Sequence, residues 1–597
     1  MRSVTRHALD RDGDGYFSGV VEQARPGQCY RYALRSGDFP DPASRFQPEG
    51  PHGPSQIIDA GAFRWTDHAW KGVERDGQVI YELHIGTFTP EGTWGGALGR
   101  LEELAELGVT LLEVMPVADF PGTFGWGYDG VNHFAPTRLY GSPDEFRMFV
   151  DRAHALGLGV ILDVVYNHFG PDGCYLREFS PHYFSKRYKN EWGEPLNFDG
   201  ERSQAVREFI VTNAAYWIEE FHLDGLRLDA TQQIFDSSDD YIVAALTRAA
   251  RTAARGRKIY VVGENEPQDA RLVRPPDRGG HGIEALWNDD FHHSARVALT
   301  GHSEAYYTDY RGRPQEFIST AKRGFLFQGQ RYRWQRKTRG SASLDLEPSQ
   351  LVNCLQNHDQ VANTLGGMRI HELTSAGQLR AMTALLLLHP ATPMLFQGQE
   401  FAAASPFLYF ADHKPELARL VGEGRKSFIS QFPSMAEALK AGVPHAPEAA
   451  DTFRRSKLDW AERKSGRHRA VYQLHRDLIQ LRRQDPVIAK LRREDVDGAV
   501  LSDQAFVLRY FSAQHGDRML LVNLGTQLHL DPAPEPLLAP PEDADWELSW
   551  SSEEPRYGGS GTAPIHWREE NWLLPGRTTL FFTAKPLHDA HEPHSEN

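Results

Sequence analysis

The sequence lacks several features that are typical of secreted proteins, of membrane-spanning proteins and of proteins stabilised by a structural metal ion. Only three cysteines occur, Cys29, Cys174 and Cys354, and they form no CxxC pair, so neither a disulfide framework nor a structural zinc site is indicated. The longest apolar runs, such as 384–388, are far shorter than the roughly 18 residues that span a bilayer. The first residues do not form the apolar stretch of a signal peptide. These absences predict a soluble cytoplasmic protein with no membrane partner.

Positive charge is also in deficit. The 597 residues include 65 Lys and Arg against 80 Asp and Glu, which gives a net charge of −15. A basic face for nucleic acid or for anionic lipid is therefore not expected. Aromatic residues, in contrast, reach 11%. This content favours either a large core or a surface of flat rings for a ligand with apolar faces, such as a sugar.

From about residue 79, short apolar runs alternate with amphipathic segments of helical length. Helices are expected at 97–107, 144–156, 203–221 and 241–255, and Ser142 followed by proline is a good helix start. Eight strand-then-helix units predict an α/β fold, a (β/α)₈ TIM barrel. An open doubly wound sheet is the alternative, but the Gly-rich phosphate fingerprints of its nucleotide-binding versions are missing. The predicted strands are 79–85, 109–114, 159–165, 225–228, 259–262, 285–287, 351–355 and 393–396.

The remaining sequence predicts two β-rich domains that flank this barrel. Residues 1–76 read as an N-terminal β-sandwich of short strands, and residues 493–587 as a C-terminal β-sandwich with strands at 499–501, 506–511, 519–522 and 579–582. The barrel then occupies 77–492, with insertions near 169–200 and 300–349. The polar tail, 588–597, is expected to be disordered.

Polar clusters follow four of the predicted strands directly, at 163–168, 227–229, 264–266 and 357–359. One such cluster would indicate only a solvated strand end. Four of them would converge in the mouth of a barrel, because the carboxyl ends of its strands share one face. Converging carboxylates suit the cleavage of glycosidic bonds, where one stays protonated and another ionised. Arg227 would keep Asp229 ionised as the nucleophile, and Glu264, with the longer reach, is the better acid.

With these clusters in this order, the chain resembles the α-amylase family of glycoside hydrolases. The resemblance implies that Asp229 is the catalytic nucleophile, that Glu264 is the general acid/base and that Asp359 stabilises the transition state. It further implies a retaining double displacement. The other residues that the resemblance places at the substrate are Trp126, Tyr128, Asp129, His168, Arg227, Asn357 and His358.

No cofactor or metal ion is expected. Asn167 matches a residue that helps to hold calcium in many members of the α-amylase family. The sequence, however, shows no convincing set of partner ligands for that ion.

Finer motifs at 167–176, 197–200, 356–360, 395–400 and 405–413 resemble one subgroup, the maltooligosyltrehalose trehalohydrolases. The resemblance implies maltooligosyltrehalose as substrate, and trehalose and a maltooligosaccharide as products. Gln360 stands where a glycogen branching enzyme usually has Glu. Gln232 is a candidate for binding the trehalose hydroxyls, and Phe407 and Tyr409 are candidates for lining the acceptor side of the site.

The sequence leaves three alternative functions open. The first two are a 1,4-α-glucan branching enzyme and an α-amylase-type hydrolase. The third is a non-catalytic glycan-binding protein, which would typically have lost one of the three carboxylates that are all present here.

Overall fold

The structure is a computed structural model that describes residues 4–13, 15–440, 445–562 and 571–587. The tail that the sequence predicts to be disordered lies outside these residues. Within the described ranges, no helix combines the length and the apolar character needed to cross a bilayer.

The N-terminal residues form three separate antiparallel pairs, β1–β2, β3–β6 and β4–β5, instead of the two packed sheets of a β-sandwich. Strands of two or three residues whose side chains are exposed or half-buried, with the exception of Ser55, have too little apolar surface to bury a core between them. The segment packs on the barrel domain instead, with the Arg45 guanidinium 4.5 Å from the centre of the Tyr216 ring. The strands are β1 Asp10–Arg11, β2 Phe17–Ser18, β3 Cys29–Tyr30, β4 Tyr32–Leu34, β5 Gly37–Phe39 and β6 Ser55–Gln56.

The next strands include a closed parallel barrel. They are β7 Ile80–Leu83, β8 Leu111–Val114, β9 Ala118–Asp119, β10 Asn132–Pro136, β11 Gly159–Val164, β12 Gly225–Leu228, β13 Tyr260–Gly263, β14 Ala285–Trp287, β15 Arg331–Tyr332, β16 Lys337–Thr338, β17 Leu351–Cys354 and β18 Thr392–Phe396. The barrel order is β11-β12-β13-β14-β17-β18-β7-β8. All eight predicted strands are confirmed, with ends within two residues of those expected. They could be found because parallel strands buried on both faces appear in the sequence as continuous apolar runs.

Gly225, which opens β12, shows how tightly the barrel is closed. Its φ is +153°, and a Cβ at this position would lie 1.8 Å from the carbonyl oxygen of Tyr260 on the neighbouring strand. Only glycine allows this approach, so the strand that carries Arg227 begins in contact with β13.

Helices surround the barrel: α1 Ile85–Phe88, α2 Trp94–Leu98, α3 Leu101–Leu107, α4 Pro143–Ala155, α5 Leu176–Phe179, α6 Ser203–Glu220, α7 Ile242–Ala253, α8 Asp289–Thr300, α9 Pro314–Arg323, α10 His358–Ala362, α11 Ala376–Leu388, α12 Pro415–Ile429, α13 Pro433–Lys440, α14 Ala450–Arg455 and α15 Gly466–Gln484. The predicted start of α4 is confirmed, since Ser142 and Glu145 form a capping box. The single helix expected at 97–107 is instead divided between α2 and α3, because Gly99 caps the end of α2.

The C-terminal strands form a five-stranded antiparallel sheet, in the order β19-β20-β21-β25-β23, and a separate pair, β22–β24. Apolar side chains from both, such as Leu521 and Trp572, belong to one buried cluster. The four strands predicted in this region are confirmed; three others, β22, β23 and β24, were not foreseen because their apolar residues are few or widely spaced. The strands are β19 Val496–Ser502, β20 Ala505–Tyr510, β21 Arg518–Asn523, β22 Leu528–Leu530, β23 Ala544–Ser551, β24 Trp572–Leu574 and β25 Thr578–Pro586.

Candidate active site

The four polar clusters meet at the carboxyl end of the barrel, as the sequence predicts. Asp229 follows β12, Glu264 follows β13, and Asp359 lies in the first turn of α10 after β17. Asn167 and His168 lie a few residues after the end of β11. Because these strands are neighbours or close neighbours in the barrel, residues that are far apart in the sequence line one mouth.

Arg227 connects the two carboxylates expected to do the chemistry. Its Nη1 donates to Asp229 Oδ1 at 2.9 Å, and its Nη2 donates to Glu264 Oε2 at 2.7 Å. The side chain is fully buried, and its guanidinium lies 4.3 Å from the centre of the Trp287 ring. The two carboxyl groups are therefore held by the two Nη atoms of a single rigid guanidinium group.

Asp229 receives a second donor on its other oxygen. The amide Nδ2 of Asn167 donates to Asp229 Oδ2 at 2.8 Å. Both carboxylate oxygens thus act as acceptors, which is the state that a nucleophilic carboxylate requires. The side chain remains 13% exposed, so a ligand in the mouth can reach it.

Glu264 is placed in a different environment. Burial first, and then the neighbouring Asp229 and Asp359, raise the pKa of its carboxyl to about 8 against the opposing Arg227. The Ala230 N–H donates to its Oε2 at 3.1 Å, and the side chain is 23% exposed. Glu264 is therefore protonated at neutral pH and open to the mouth, as a general acid must be.

Tyr128 and His358 form the floor of the mouth. The Tyr128 hydroxyl donates to Asp163 Oδ2 at 2.6 Å and lies 2.9 Å from His358 Nε2. The two rings are stacked with 5.1 Å between their centres. Asp163 also accepts from Arg227 at 2.7 Å, so hydrogen bonds connect the floor to both Asp229 and Glu264. Asp163 and its bonds to Tyr128 and Arg227 were not singled out from the sequence.

Trp126 and Phe407, two of the expected substrate contacts, are buried against this floor. Phe407 is 0% exposed and Trp126 is 5% exposed. Their rings stack with 5.4 Å between centres, and the Trp126 indole donates to the Leu408 carbonyl. The centre of the Trp126 ring lies 6.3 Å from that of Tyr128 and 5.2 Å from that of His358, so Trp126 supports both floor residues.

The other expected contact residues take several positions. Asn357 caps α10, because its Oδ1 accepts from the Gln360 N–H at 2.8 Å. Gln360 in turn accepts hydrogen bonds from Tyr306 and Tyr307. Gln232 is partly exposed and accepts a long bond from the Glu266 N–H.

Three residues lie near the rim. Asp129 lies 3.5 Å from His413, and His168 contacts Asn167 through its Nδ1. The ring of Tyr409 is partly exposed and lies under the Arg425 guanidinium.

The residues around Asn167 do not fit a calcium ion. Its Oδ1 faces donors from His168 and Asn190, and its Nδ2 donates to Asp229. Across the described parts of the chain, no three His, Cys, Asp or Glu side chains form a group that could hold a metal ion. Calcium favours six or more free oxygen ligands, so no chemical step is assigned to a metal.

Comparisons with known proteins identify the family. The description "Alpha amylase, catalytic domain" matches residues 62–195, and "Domain of unknown function (DUF3459)" matches residues 493–584. The malto-oligosyltrehalose trehalohydrolase of Deinococcus radiodurans is 41% identical over 525 residues, which cover 87% of this chain and 84% of the relative. The chain belongs to the malto-oligosyltrehalose trehalohydrolase family.

Two further comparisons set the limits of this family assignment. The crystal structure of a Salmonella typhimurium protein described as an α-amylase matches with a TM-score of 0.85 and 35% identity, over 96% of this chain and 94% of that one. The 1,4-alpha-glucan branching enzyme of Bacillus caldolyticus is 31% identical but covers only 46% of each chain. The chain thus resembles malto-oligosyltrehalose trehalohydrolases over nearly its whole length and the branching enzyme over less than half.

Proposed function

We propose that this chain is a retaining glycoside hydrolase. It cleaves the α-1,4 bond next to the terminal α,α-trehalose unit of maltooligosyltrehalose and releases trehalose and a maltooligosaccharide. The observation that carries the proposal is the binding of Asp229 and Glu264 to the two ends of the buried Arg227 guanidinium. Family membership supports the choice of substrate.

In the first step, Asp229 attacks the anomeric carbon on the donor side of the bond. Glu264 transfers its proton to the glycosidic oxygen, so that trehalose leaves with its hydroxyl restored. The bond between the anomeric carbon and that oxygen breaks as the ester to Asp229 forms. The pKa of about 8 supports this role for Glu264, since the acid must hold its proton at neutral pH.

In the second step, the ionised Glu264 removes a proton from a water molecule. The oxygen of that water attacks the anomeric carbon, and the ester bond to Asp229 breaks. Two inversions give net retention, so the maltooligosaccharide leaves as its α-anomer. Asp359, whose side chain is 45% exposed at the mouth, is proposed to grip sugar hydroxyls and to stabilise the positive charge of the transition state.

The donor sugar is proposed to lie on Tyr128, between His168 and His358. Gln232, Gln360 and Tyr409, which are partly exposed around the same mouth, are proposed to contact the acceptor side. A polar amide suits trehalose because the disaccharide presents hydroxyls in all directions and carries no charge.

Product identification tests this function. Maltotetraosyl-trehalose should give trehalose and maltotetraose in equal amounts, and faster than plain amylose is cut. Faster cleavage of amylose would favour an α-amylase-type hydrolase, and new α-1,6 branches would favour a branching enzyme. The Asp229→Asn variant is the control, because any product that persists in it at the wild-type rate comes from another enzyme.

A further inference from the structure

Glu82 contacts His358 from inside the barrel through both of its carboxylate oxygens. It lies in the middle of β7 and its side chain is buried. One carboxylate oxygen accepts from the His358 backbone N–H at 3.1 Å, and the other contacts the ring Nδ1. Carboxylate oxygens can only accept, so Nδ1 carries a proton directed at Glu82.

The opposite nitrogen of His358 is constrained as well. The Tyr128 hydroxyl gives its own proton to Asp163, at 2.6 Å. In the 2.9 Å contact with His358 Nε2, the Tyr128 oxygen can therefore act only as the acceptor. With donors required at both nitrogens, the ring is an imidazolium.

The charged groups around His358 support this state. Burial alone would lower the pKa of His358, but Glu82 and then Asp359 raise it to about 9 against the opposing Arg227. The titratable and charged groups that face the ring are Glu82 and His84 from the β7 segment, Glu113 from β8, Arg227 from β12, Tyr128 and the adjacent Asp359. Asp163 from β11 lies behind them, in contact with Tyr128 and Arg227.

Glu113 provides a natural comparison for Glu82. The two residues are directly paired in register on neighbouring strands, and both side chains are buried. Within the described residues, neither oxygen of Glu113 has a hydrogen-bond partner. Burial raises the pKa of Glu113 well above its usual value, so this carboxyl is neutral, whereas Glu82 is the carboxyl group in direct contact with His358.

We propose that Glu82 is a positioning residue that keeps His358 doubly protonated, so that Nε2 always donates a hydrogen bond into the mouth. This rests on the proposed function, in which His358 lies beside the donor sugar. When substrate is bound, the same N–H is available to a sugar hydroxyl, and such bonds strengthen in the transition state. The pairing with Glu82 keeps the local charge close to zero, so the imidazolium does not repel the developing positive charge.

Nitrogen-15 NMR of histidine-labelled protein tests the protonation state without substrate. The signal of His358 is identified by its absence in His358→Gln. In the wild type we expect both ring nitrogens to carry protons at pH 8. In Glu82→Gln we expect the ring to lose a proton at least one pH unit lower, and in the matched Glu113→Gln we expect no change. A neutral His358 in the wild type at pH 8, or equal shifts in both variants, would overturn the proposal.

Kinetics then test the consequence for catalysis. In Glu82→Gln we expect kcat/KM to fall about ten-fold, with the alkaline limb of its pH profile moved toward neutral pH. Combining it with His358→Gln should add nothing to the loss caused by His358→Gln alone, because Glu82 acts through that ring. Additive losses would contradict this. If instead the enzyme released no trehalose, the proposed function would fail while the NMR result would still decide the role of Glu82.

Discussion

Two buried networks of charged residues occupy opposite ends of the barrel. At the amino end, the ring of His154 lies between Asp67 and Asp224, 2.9 Å from each. Asp224 also accepts from the Trp70 indole at 2.7 Å and from the Val160 N–H at 2.9 Å. At the carboxyl end, one guanidinium serves three carboxylates.

The difference between the two ends lies in how completely the charges are compensated. In the amino-end network, opposite charges alternate and the three side chains are at most 3% exposed. At the carboxyl end, Asp163, Asp229 and Glu264 share Arg227, and one oxygen of Asp163 has no partner within the described residues. Satisfied networks of this kind stabilise a fold, whereas crowded carboxylates shift pKa values and leave capacity for a ligand. We therefore expect the network at the amino end to stabilise the fold and the network at the mouth to serve catalysis.

The largest expected effect is on catalysis at the mouth. Asp229→Asn and Glu264→Gln should each lower kcat by about a thousand-fold or more, because they remove the proposed nucleophile and the proposed general acid. Removing a carboxylate from a crowded site should leave the melting temperature unchanged or slightly raised. Turnover near the wild-type rate in either variant would rule out the assigned roles.

At the amino end, the order of effects should be reversed. His154→Ala should lower the free energy of unfolding by about 3 kcal/mol or more, since it removes the buried partner that Asp67 and Asp224 share. The kcat of the folded fraction should stay close to the wild-type value. Arg152→Ala, on the same helix α4 but in an exposed ion pair, should cost less than about 1 kcal/mol. Equal losses in denaturant titrations would show that the buried pairing contributes little.

The two ends should also respond differently to pH. Glu264, whose pKa in the substrate-free structure is about 8, must be protonated to act, so kcat/KM should fall as pH rises through that value. The pKa of His154 is raised, because Asp224 and Asp67 outweigh its burial. Its contribution to stability is thus complete below the pKa of an unfolded histidine, and is lost as pH rises through the raised value.

The stability of the protein at acid pH also depends on the network at the amino end. Burial would raise the pKa of Asp67, but its bonds to His154 and His222 lower it. The stability that these bonds give is present above the pKa of Asp67 in the unfolded chain. It is lost as pH falls through the lowered pKa of Asp67 in the folded protein. Parallel pH profiles of kcat/KM and of the melting temperature check this prediction. A melting temperature that follows kcat/KM at every pH would contradict the division into two roles.

A smaller effect is expected for Tyr128→Phe. This change removes a hydroxyl that contacts both Asp163 and His358, so kcat/KM should fall about ten-fold with little change in stability. Tyr166→Phe is the matched control, because its buried hydroxyl donates to Asn213 and to none of the catalytic carboxylates. It should cost about 1 kcal/mol of stability and leave kcat unchanged. The opposite pattern would move the functional site away from Tyr128.

The barrel and its carboxylates could be predicted from the sequence because their signals are local. A parallel strand buried on both faces is a continuous apolar run, and the polar residues that follow it must face the mouth. The burial of Trp126 and Phe407 could not be predicted, because the partner that fixes the Trp126 indole is the carbonyl of Leu408, 282 residues away. Glu82 was missed because it lies inside a strand and not at its end. The signal that could have indicated it is a single charged residue within an otherwise apolar strand.

The anomeric form of the first product tests the central claim most directly. Proton NMR during the first minutes of maltotetraosyl-trehalose cleavage resolves the two anomers of maltotetraose before they interconvert. A double displacement through Asp229 predicts the α-anomer first. Initial release of the β-anomer would contradict the account, because it would mean that water attacks directly and that Asp229 forms no covalent intermediate.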